Sequence, residues 1–147
     1  IEKIELVSIA SEDLKKASVA ERQVAGTKLE GTKDVKYVAS KSTGSSLLAV
    51  SNYSNCVLGF SALGEKGKTA ENVGVEAAIG LKKQMSSNAC IDEHTADQLL
   101  PFLAFAKGSS QISVAEITDH VKTNIWVIEQ FLPVKFEVKG NIIKVNN

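Results

Sequence analysis

Arginine is nearly absent from this chain of 147 residues. Of the 17 basic residues only Arg22 is an arginine, and 17 acidic residues balance the basic ones. A net charge of zero argues against a protein that holds nucleic acid mainly by bulk electrostatic attraction. A single guanidinium also excludes a cluster of arginines that would bind phosphate groups bidentately. If the substrate is a polyphosphate, most of the groups that bind it must come from elsewhere.

Cysteine and long apolar runs are also scarce. Cys56 and Cys90 are the only cysteines, and their spacing is not that of a metal site, so two reduced intracellular thiols are expected. No apolar run approaches the roughly 20 residues of a membrane helix, and no membrane partner is expected. The chain begins at Ile1 instead of a methionine, which indicates a processed chain or a fragment of a longer protein.

The first 88 residues predict a small α/β lobe with the order strand, helix, three strands, helix. The predicted strands cover residues 1–10, 34–40, 46–52 and 56–63, and the last two form a hairpin. The first helix begins at Ser11 or at Ser18 and ends at Gly26. Its core face holds Leu14, Ala17, Val19, Ala20 and Val24. The second helix has Thr69 as N-cap and Val73, Ala77, Ala78, Leu81 and Met85 as its inward face.

Residues 89–147 predict helix, strand, helix and a closing hairpin. The third helix has Asp92 as its cap and Gly108 as its terminator, and a strand follows at 109–118. The fourth helix ends at Pro133, and the hairpin turns at Gly140-Asn141. The core face of the fourth helix holds Val121, Ile125, Ile128 and Leu132. The whole chain is therefore predicted to be mixed α/β (α+β), divided into parts at 1–88 and 89–147.

The segment "HTADQ" places an imidazole, a carboxylate and an amide on one helical face, because His94, Asp97 and Gln98 are spaced i, i+3, i+4. Leu99, Leu100 and Leu103 are expected to face the core. Pro101 has no amide hydrogen for the Asp97 carbonyl and should bend the helix there. Such a polar face suits recognition of a sugar hydroxyl or a base edge, although its pattern alone favours a solvated surface.

His120 is predicted to lie in the first turn of the fourth helix, after an N-cap at Thr118 or Asp119. The positive end of the helix dipole favours a neutral imidazole and attracts an anion such as phosphate. A neutral imidazole that faces phosphate is the arrangement required for attack on phosphorus. Asp97 and Asp119 are candidate partners for the second ring nitrogen. The pattern alone nevertheless favours an ordinary histidine bonded to a backbone carbonyl.

A glycine-rich segment, Gly64-Glu65-Lys66-Gly67, precedes the second helix. It matches neither the P-loop nor the dinucleotide fingerprint, and a plain turn is the favoured interpretation.

Four segments together resemble the C-terminal part of the RNA 3′-terminal phosphate cyclases: "SVAERQ", "GEKGKTAENVG", "DEHTADQLLPF" and "HVKTNIWVIEQFLPVKF". The similarity covers nearly the whole chain in order, and the last block is highly specific. The resemblance implies a small α/β domain at 1–88, inserted into the last of three βαβαββ repeats of a larger domain. Residues 89–147 would then supply that repeat without its first strand.

The resemblance also implies the reaction and the residues that carry it out. His120 would be the catalytic nucleophile that takes AMP from ATP, and the RNA 3′-phosphate would become a 2′,3′-cyclic phosphate through an RNA-adenosine pyrophosphate end. The residues implied for nucleotide binding are Phe60, His94, Thr95, Ala96, Asp97 and Gln98. Magnesium or another divalent cation would assist, and no metal ligand is assigned to this chain.

The expected partners are ATP, RNA with a 3′-phosphate and a preceding N-terminal part of the same protein, without which the chain should be inactive. Homodimerisation is left open, and the expected location is cytoplasmic, or nuclear in a eukaryote. One alternative is a non-catalytic cyclase-like RNA-binding factor in ribosome maturation, against which the presence of His120 argues. Another is a self-sufficient α/β module that binds nucleotide.

Overall fold

Two separate sheets divide the chain in a computed structural model that describes residues 1–146. The two compact units are Ile1–Met85 and Ser86–Asn147. Each unit combines helices with a sheet, which confirms the predicted mixed α/β class. Within residues 1–146, no helix is both long enough and apolar enough to cross a bilayer. Both cysteines are free thiols.

The first unit follows the predicted order of strand, helix, three strands and helix. Its elements are β1 (Lys3–Ser11), a 3₁₀ helix (Glu12–Ala17), α1 (Val19–Thr27), β2 (Thr32–Val38), β3 (Ser45–Asn52), β4 (Val57–Leu63) and α2 (Ala70–Ser86). The strand order is β2-β1-β3-β4. β1 pairs in parallel with β2 and antiparallel with β3, and the predicted β3–β4 hairpin is present.

The core of the first unit forms where α1 and α2 cover the sheet. Leu6, Ser8 and Ala10 alternate along β1 and are buried, as expected for a strand with one covered face. The buried Ser8 hydroxyl donates to Gln23 of α1 at 2.7 Å, which satisfies a polar group in the core. The apolar core residues are Leu6, Val24, Leu47, Ala49, Ala62, Val73, Ala77 and Leu81.

Three predictions about α1 are wrong. Ser11 does not cap it, because residues 12–17 form a 3₁₀ helix; the alternative start at Ser18 is confirmed, since Ser18 occupies the N-cap position in left-handed conformation. Ala17 is exposed. Gly26 does not end the helix but is buried within it, where its missing Cβ lets the chain approach the backbone of Glu71 in α2. Close packing against another helix, and not a turn, explains the glycine.

The second unit has two helices, α3 (Glu93–Phe105) and α4 (Asp119–Phe131), and three strands. The strands are β5 (Ser109–Ser113), β6 (Phe136–Lys139) and β7 (Ile142–Asn146), in the order β5-β7-β6 with antiparallel pairing. The fully buried apolar residues are Ala96, Leu100, Val114, Val121 and Ile143.

Most of the predicted inward residues of the second unit face this core. Leu100 and Val121 are buried, and Leu103, Ile125 and Ile128 pack against them. Leu99 and Leu132 are half-buried outside the cluster, and Leu132 caps the C-terminus of α4. Gly108 has a positive φ of 86°, but it lies beyond the extended cap residue Ala106, so it shapes the turn and does not end α3.

Candidate functional site

The two helices of the second unit begin side by side. Ile91 forms a parallel bridge with Val114. The Ile91 amide donates to the Ser113 carbonyl at 3.1 Å, and the Ala115 amide donates to the Ile91 carbonyl at 2.9 Å. α3 follows the first of these segments and α4 follows the second. Both helix N-termini, with their partial positive charges, therefore lie at the same edge of the unit.

The first turn of α3 already holds an anionic group. Asp92, which is buried, accepts the main-chain amides of His94 at 3.0 Å and Thr95 at 2.7 Å. Its second carboxylate oxygen accepts the Thr95 hydroxyl at 2.9 Å. The predicted cap at Asp92 is confirmed, and it uses the amides at this helix end that could otherwise bind a phosphate.

The first turn of α4 is more open. Thr118 caps it by accepting the Val121 amide at 3.2 Å, as predicted. His120, the second residue of the helix, is exposed, and within residues 1–146 its ring makes no hydrogen bond. The ring is therefore accessible at a helix end that favours anions.

Neither predicted carboxylate partner holds the His120 ring. The Asp119 carboxylate accepts the Lys122 ammonium at 2.9 Å instead. The Lys122 ammonium is the main cause that lowers the pKa of Asp119. Asp97 lies half-buried on α3, and within the described chain its carboxylate forms no hydrogen bond with His120.

The main chain of Asp97 makes a contact that sequence reasoning missed. Asn124 of α4 donates its side-chain amide to the Asp97 carbonyl oxygen at 3.5 Å. Pro101 lies inside α3, four residues after Asp97, and cannot supply the usual helical donor. Asn124 lies four residues after His120, on the same face of α4. The spacing of four residues between His120 and Asn124 could have shown that Asn124 lies near the ring. It could not have shown that Asn124 bonds to Asp97, because Asp97 lies on another helix.

The other predicted nucleotide-binding residues of α3 are arranged on two sides of the helix. His94 has a side chain that is 64% exposed, with its Nε2 atom 3.8 Å from Glu93. Gln98 and Thr95 are also exposed. Ala96 is fully buried in the core, and its amide donates to the Asp92 carbonyl at 3.1 Å, so it presents no surface to a ligand. The structure therefore brings His94, Thr95 and Gln98 to the surface of one helix.

Phe60, the remaining predicted residue, lies in the first unit. It is half-buried against the core there, and its ring packs over Gly80 of α2 so closely that a Cβ at Gly80 would collide with it. An adenine contact by Phe60 stays a prediction.

A cavity of about 520 Å³ lies in the first unit, near the predicted Gly64–Gly67 turn. The turn is present, since the Lys68 amide donates to the Glu65 carbonyl at 3.1 Å. None of the predicted site residues lines the cavity. Two of its charged side chains are already neutralised, because Arg22 pairs with Glu71 and Lys68 with Glu76. The turn and cavity therefore give no support to a phosphate loop.

The described residues offer no evident metal centre. Across residues 1–146, no group of three or more histidine, cysteine, aspartate or glutamate side chains could hold a metal ion.

Comparison with known proteins points to one family. A family model described as RNA 3′-terminal phosphate cyclase matches residues 4–138. The RNA 3′-terminal phosphate cyclase of Pyrococcus furiosus is 45% identical over 127 residues, which are 86% of this chain and 36% of the relative. That of Pyrococcus abyssi is 45% identical over 135 residues, which are 87% of this chain and 39% of the relative.

A third relative, the RNA 3′-terminal phosphate cyclase of Thermococcus onnurineus, is 56% identical over 85 residues, or 58% of this chain and 24% of the relative. The chain thus spans well under half the length of these three relatives. The match of the family model nevertheless covers most of the chain. The chain belongs to the RNA 3′-terminal phosphate cyclase family.

Proposed function

We propose that this chain supplies the nucleophile of an ATP-dependent RNA 3′-phosphate cyclase, and that His120 is that nucleophile. The observation that supports this most is the position of His120. It is exposed, its ring is unbonded within residues 1–146, and it lies in the first turn of α4, at the edge of the unit where α3 also begins. A helix N-terminus stabilises the negative charge of a phosphate that reacts at the ring.

The proposed reaction has three balanced transfers. A ring nitrogen of His120 attacks the α-phosphorus of ATP; a P–N bond forms, the bond to the bridging oxygen breaks, and pyrophosphate leaves. The ring releases its proton to solvent. An oxygen of the RNA 3′-phosphate then attacks the same phosphorus; a P–O bond forms, the P–N bond breaks, and the departing ring takes a proton back from solvent. Finally the adjacent 2′-hydroxyl attacks the RNA phosphorus, loses its proton and expels AMP, which leaves the 2′,3′-cyclic phosphate.

The exposed face of α3 is proposed to bind the adenosine part of ATP. His94 and Gln98 offer an imidazole and an amide near the start of the helix, which suit sugar hydroxyls and base edges. The Thr95 hydroxyl donates to Asp92 and can therefore serve only as an acceptor. Ala96, which is fully buried, would act only by packing beneath this face, and Asp97 would contribute the carboxylate of a half-buried residue. Phe60 is proposed for the adenine ring.

The phosphates need more positive charge than these residues provide. Arg22 is the only arginine in the sequence and already forms a bidentate pair with Glu71. We infer that other cationic groups, and the ligands of any divalent cation, come from outside these 147 residues. We therefore propose the activity for a protein as long as the relatives, and not for these 147 residues alone.

Covalent labelling tests the proposal. The natural protein that carries this chain is incubated with ATP labelled at the α-phosphorus and then denatured. We expect label that is lost in acid and retained in alkali, as a phosphoramidate is. His120→Ala should abolish this labelling. His94→Ala should still be labelled on His120, but it should bind ATP more weakly. Label that survives His120→Ala would disprove the catalytic assignment.

Failure of the wild-type protein to take up label, combined with binding of RNA ends, would instead support the non-catalytic alternative. The RNA substrate is tested by offering the protein a mixture of RNA with 3′-phosphate ends and RNA with 3′-hydroxyl ends. We expect a cyclic phosphate only on the RNA that carried a 3′-phosphate, because only that end can be cyclised.

A further inference from the structure

We propose that Asn124 is a positioning residue for His120, and that it acts through the main-chain carbonyl of Asp97. This inference rests on the proposed function of His120. It starts from the 3.5 Å contact between the Asn124 amide and the Asp97 oxygen, which joins α4 to α3 within one unit. The contact ties a side chain near the proposed nucleophile to the main chain of the proposed nucleotide-binding helix.

The proline explains why the Asp97 carbonyl needs a partner. In a regular helix this oxygen would accept the amide four residues later, but that residue is Pro101. A proline ring at this position also crowds the same oxygen. A carbonyl without a donor at a half-buried position is costly. Asn124 supplies a donor from the neighbouring helix at 3.5 Å, which is longer than the usual N–H···O distance of about 2.7–3.2 Å.

The location of Asn124 links this contact to the reactive ring. Asn124 and His120 are one helical turn apart on the same face of α4. On the other helix, Asp97 lies one turn after His94 and next to Gln98, on the proposed nucleotide face. A bond between the two helices at this level adds a polar restraint on the rotation of α4 about its axis, beside the apolar packing of its core face. It therefore helps to set the direction of the His120 ring relative to a nucleotide on α3.

The chemistry requires this precision. In-line attack needs the ring nitrogen close to the phosphorus and aligned with the leaving oxygen, and an error of about 1 Å can slow a reaction about a hundredfold. His120 itself makes no hydrogen bond within residues 1–146 that would orient the ring. Its orientation must therefore come from the packing of α4, and Asn124 supplies a polar contact that specifies this packing.

The test is a double-mutant cycle with Pro101. The variants Asn124→Ala, Pro101→Ala and the double variant are made in the natural protein that carries this chain. Pro101→Ala restores a helical amide for the Asp97 carbonyl, so Asn124 becomes redundant in that background. We expect Asn124→Ala to slow self-adenylylation about ten- to a hundredfold with Pro101 present, and less than about twofold when Pro101→Ala is also present. The ATP dissociation constant should stay within about twofold throughout.

Two further variants distinguish loss of the hydrogen bond from a general loss of folding. Asn124→Asp keeps the shape but replaces the donor with a carboxylate that repels the carbonyl, and it should slow adenylylation similarly. Gln130→Ala is the matched control on the same helix, because within residues 1–146 the Gln130 side chain bonds only to the Trp126 carbonyl one turn earlier, and it should adenylylate at the wild-type rate.

An NMR measurement separates failure of this inference from failure of the proposed function. The side-chain amide protons of Asn124 should exchange with solvent more slowly than those of Gln130, and Pro101→Ala should remove that protection. Equal exchange rates would overturn the inference, and so would rate effects that are multiplicative in the cycle. A third outcome is that the Asn124 amide protons exchange slowly while the wild-type protein takes up no label from ATP. In that case the contact between the helices is confirmed, but the proposed function fails, and the positioning role fails with it.

Discussion

The Tyr37 hydroxyl accepts the main-chain amide of Ala20 at 3.1 Å and donates to the Glu21 carboxylate at 2.5 Å. Tyr37 lies on β2, whereas Ala20 and Glu21 belong to the first turn of α1. Ser18 occupies the N-cap position of α1 but makes no side-chain cap hydrogen bond. A residue of the neighbouring strand therefore takes over the function of the helix cap.

Tyr37→Phe should destabilise the first unit, because it removes the acceptor for the Ala20 amide. We expect a loss of about 1 kcal/mol in the free energy of unfolding, the usual cost of losing a helix cap. Chemical denaturation of the wild-type and variant chains measures this loss. Tyr53→Phe is the control, since the Tyr53 hydroxyl makes no hydrogen bond within residues 1–146. A variant as stable as the control would show that the cap is unimportant.

The same substitution should change a titration. The Tyr37 hydroxyl is the main cause that lowers the pKa of Glu21, so Tyr37→Phe should raise that pKa toward its ordinary value. A carboxyl group with a lowered folded-state pKa stabilises the fold above its unfolded pKa, and this contribution is lost as pH falls through the folded pKa. The stability gap between wild type and variant should therefore narrow on acidification. NMR titration of the Glu21 carboxyl checks the shift, with Glu71 as the unaffected reference.

Gly74→Ala tests how closely α1 and α2 pack. In a helix this change normally stabilises by about 1 kcal/mol, but a Cβ at Gly74 would collide with the main-chain oxygen of Gln23. Since this neighbour is backbone and cannot move aside cheaply, we expect a net destabilisation of about 1–3 kcal/mol. Gly59→Ala is the control, because its Cβ would meet only ordinary contacts at 3.7 Å and 3.8 Å. A stabilised Gly74→Ala protein would contradict the packing.

Periodicity and capping chemistry predicted the order of the elements because both are local in sequence. The caps at Asp92 and Thr118 and the hairpin between β3 and β4 depend on residues within a few positions of one another. The errors came from long-range contacts. Gly26 looked like a helix terminator, but it serves the approach of α2, which begins at Ala70 and is distant in sequence.

The candidate site shows the same division. The position of His120 in the first turn of a helix followed from the spacing of nearby residues, and the structure has it there. Pro101 correctly indicated a freed carbonyl at Asp97, but the sequence alone could not identify Asn124, 27 residues away, as its donor. The lack of any bonded partner for the His120 ring within residues 1–146 was also unforeseen, because carboxylates nearby in sequence seemed suitable.

Near the C-terminus of α4, the Glu129 carboxylate joins the helix to the closing hairpin, and this contact can be tested. Glu129 accepts the Phe136 amide at 2.8 Å and the Lys135 ammonium at 2.7 Å, with its side chain only 17% exposed.

Glu129→Gln removes the charge that these two donors share. Hydrogen bonds to charged groups contribute about 1.5–3 kcal/mol, so we expect a loss of about that size in the unfolding free energy at neutral pH. Lys135 first, and then the Phe136 amide, lower the pKa of Glu129. The stabilisation is therefore present above the unfolded pKa and disappears as pH falls through the folded value, where wild type and variant should converge. Denaturation at several pH values checks this, with Glu137→Gln, an exposed carboxylate 3.8 Å from Lys139, as control. If the difference in unfolding free energy between wild type and Glu129→Gln does not change with pH, the charge of Glu129 does not stabilise this contact.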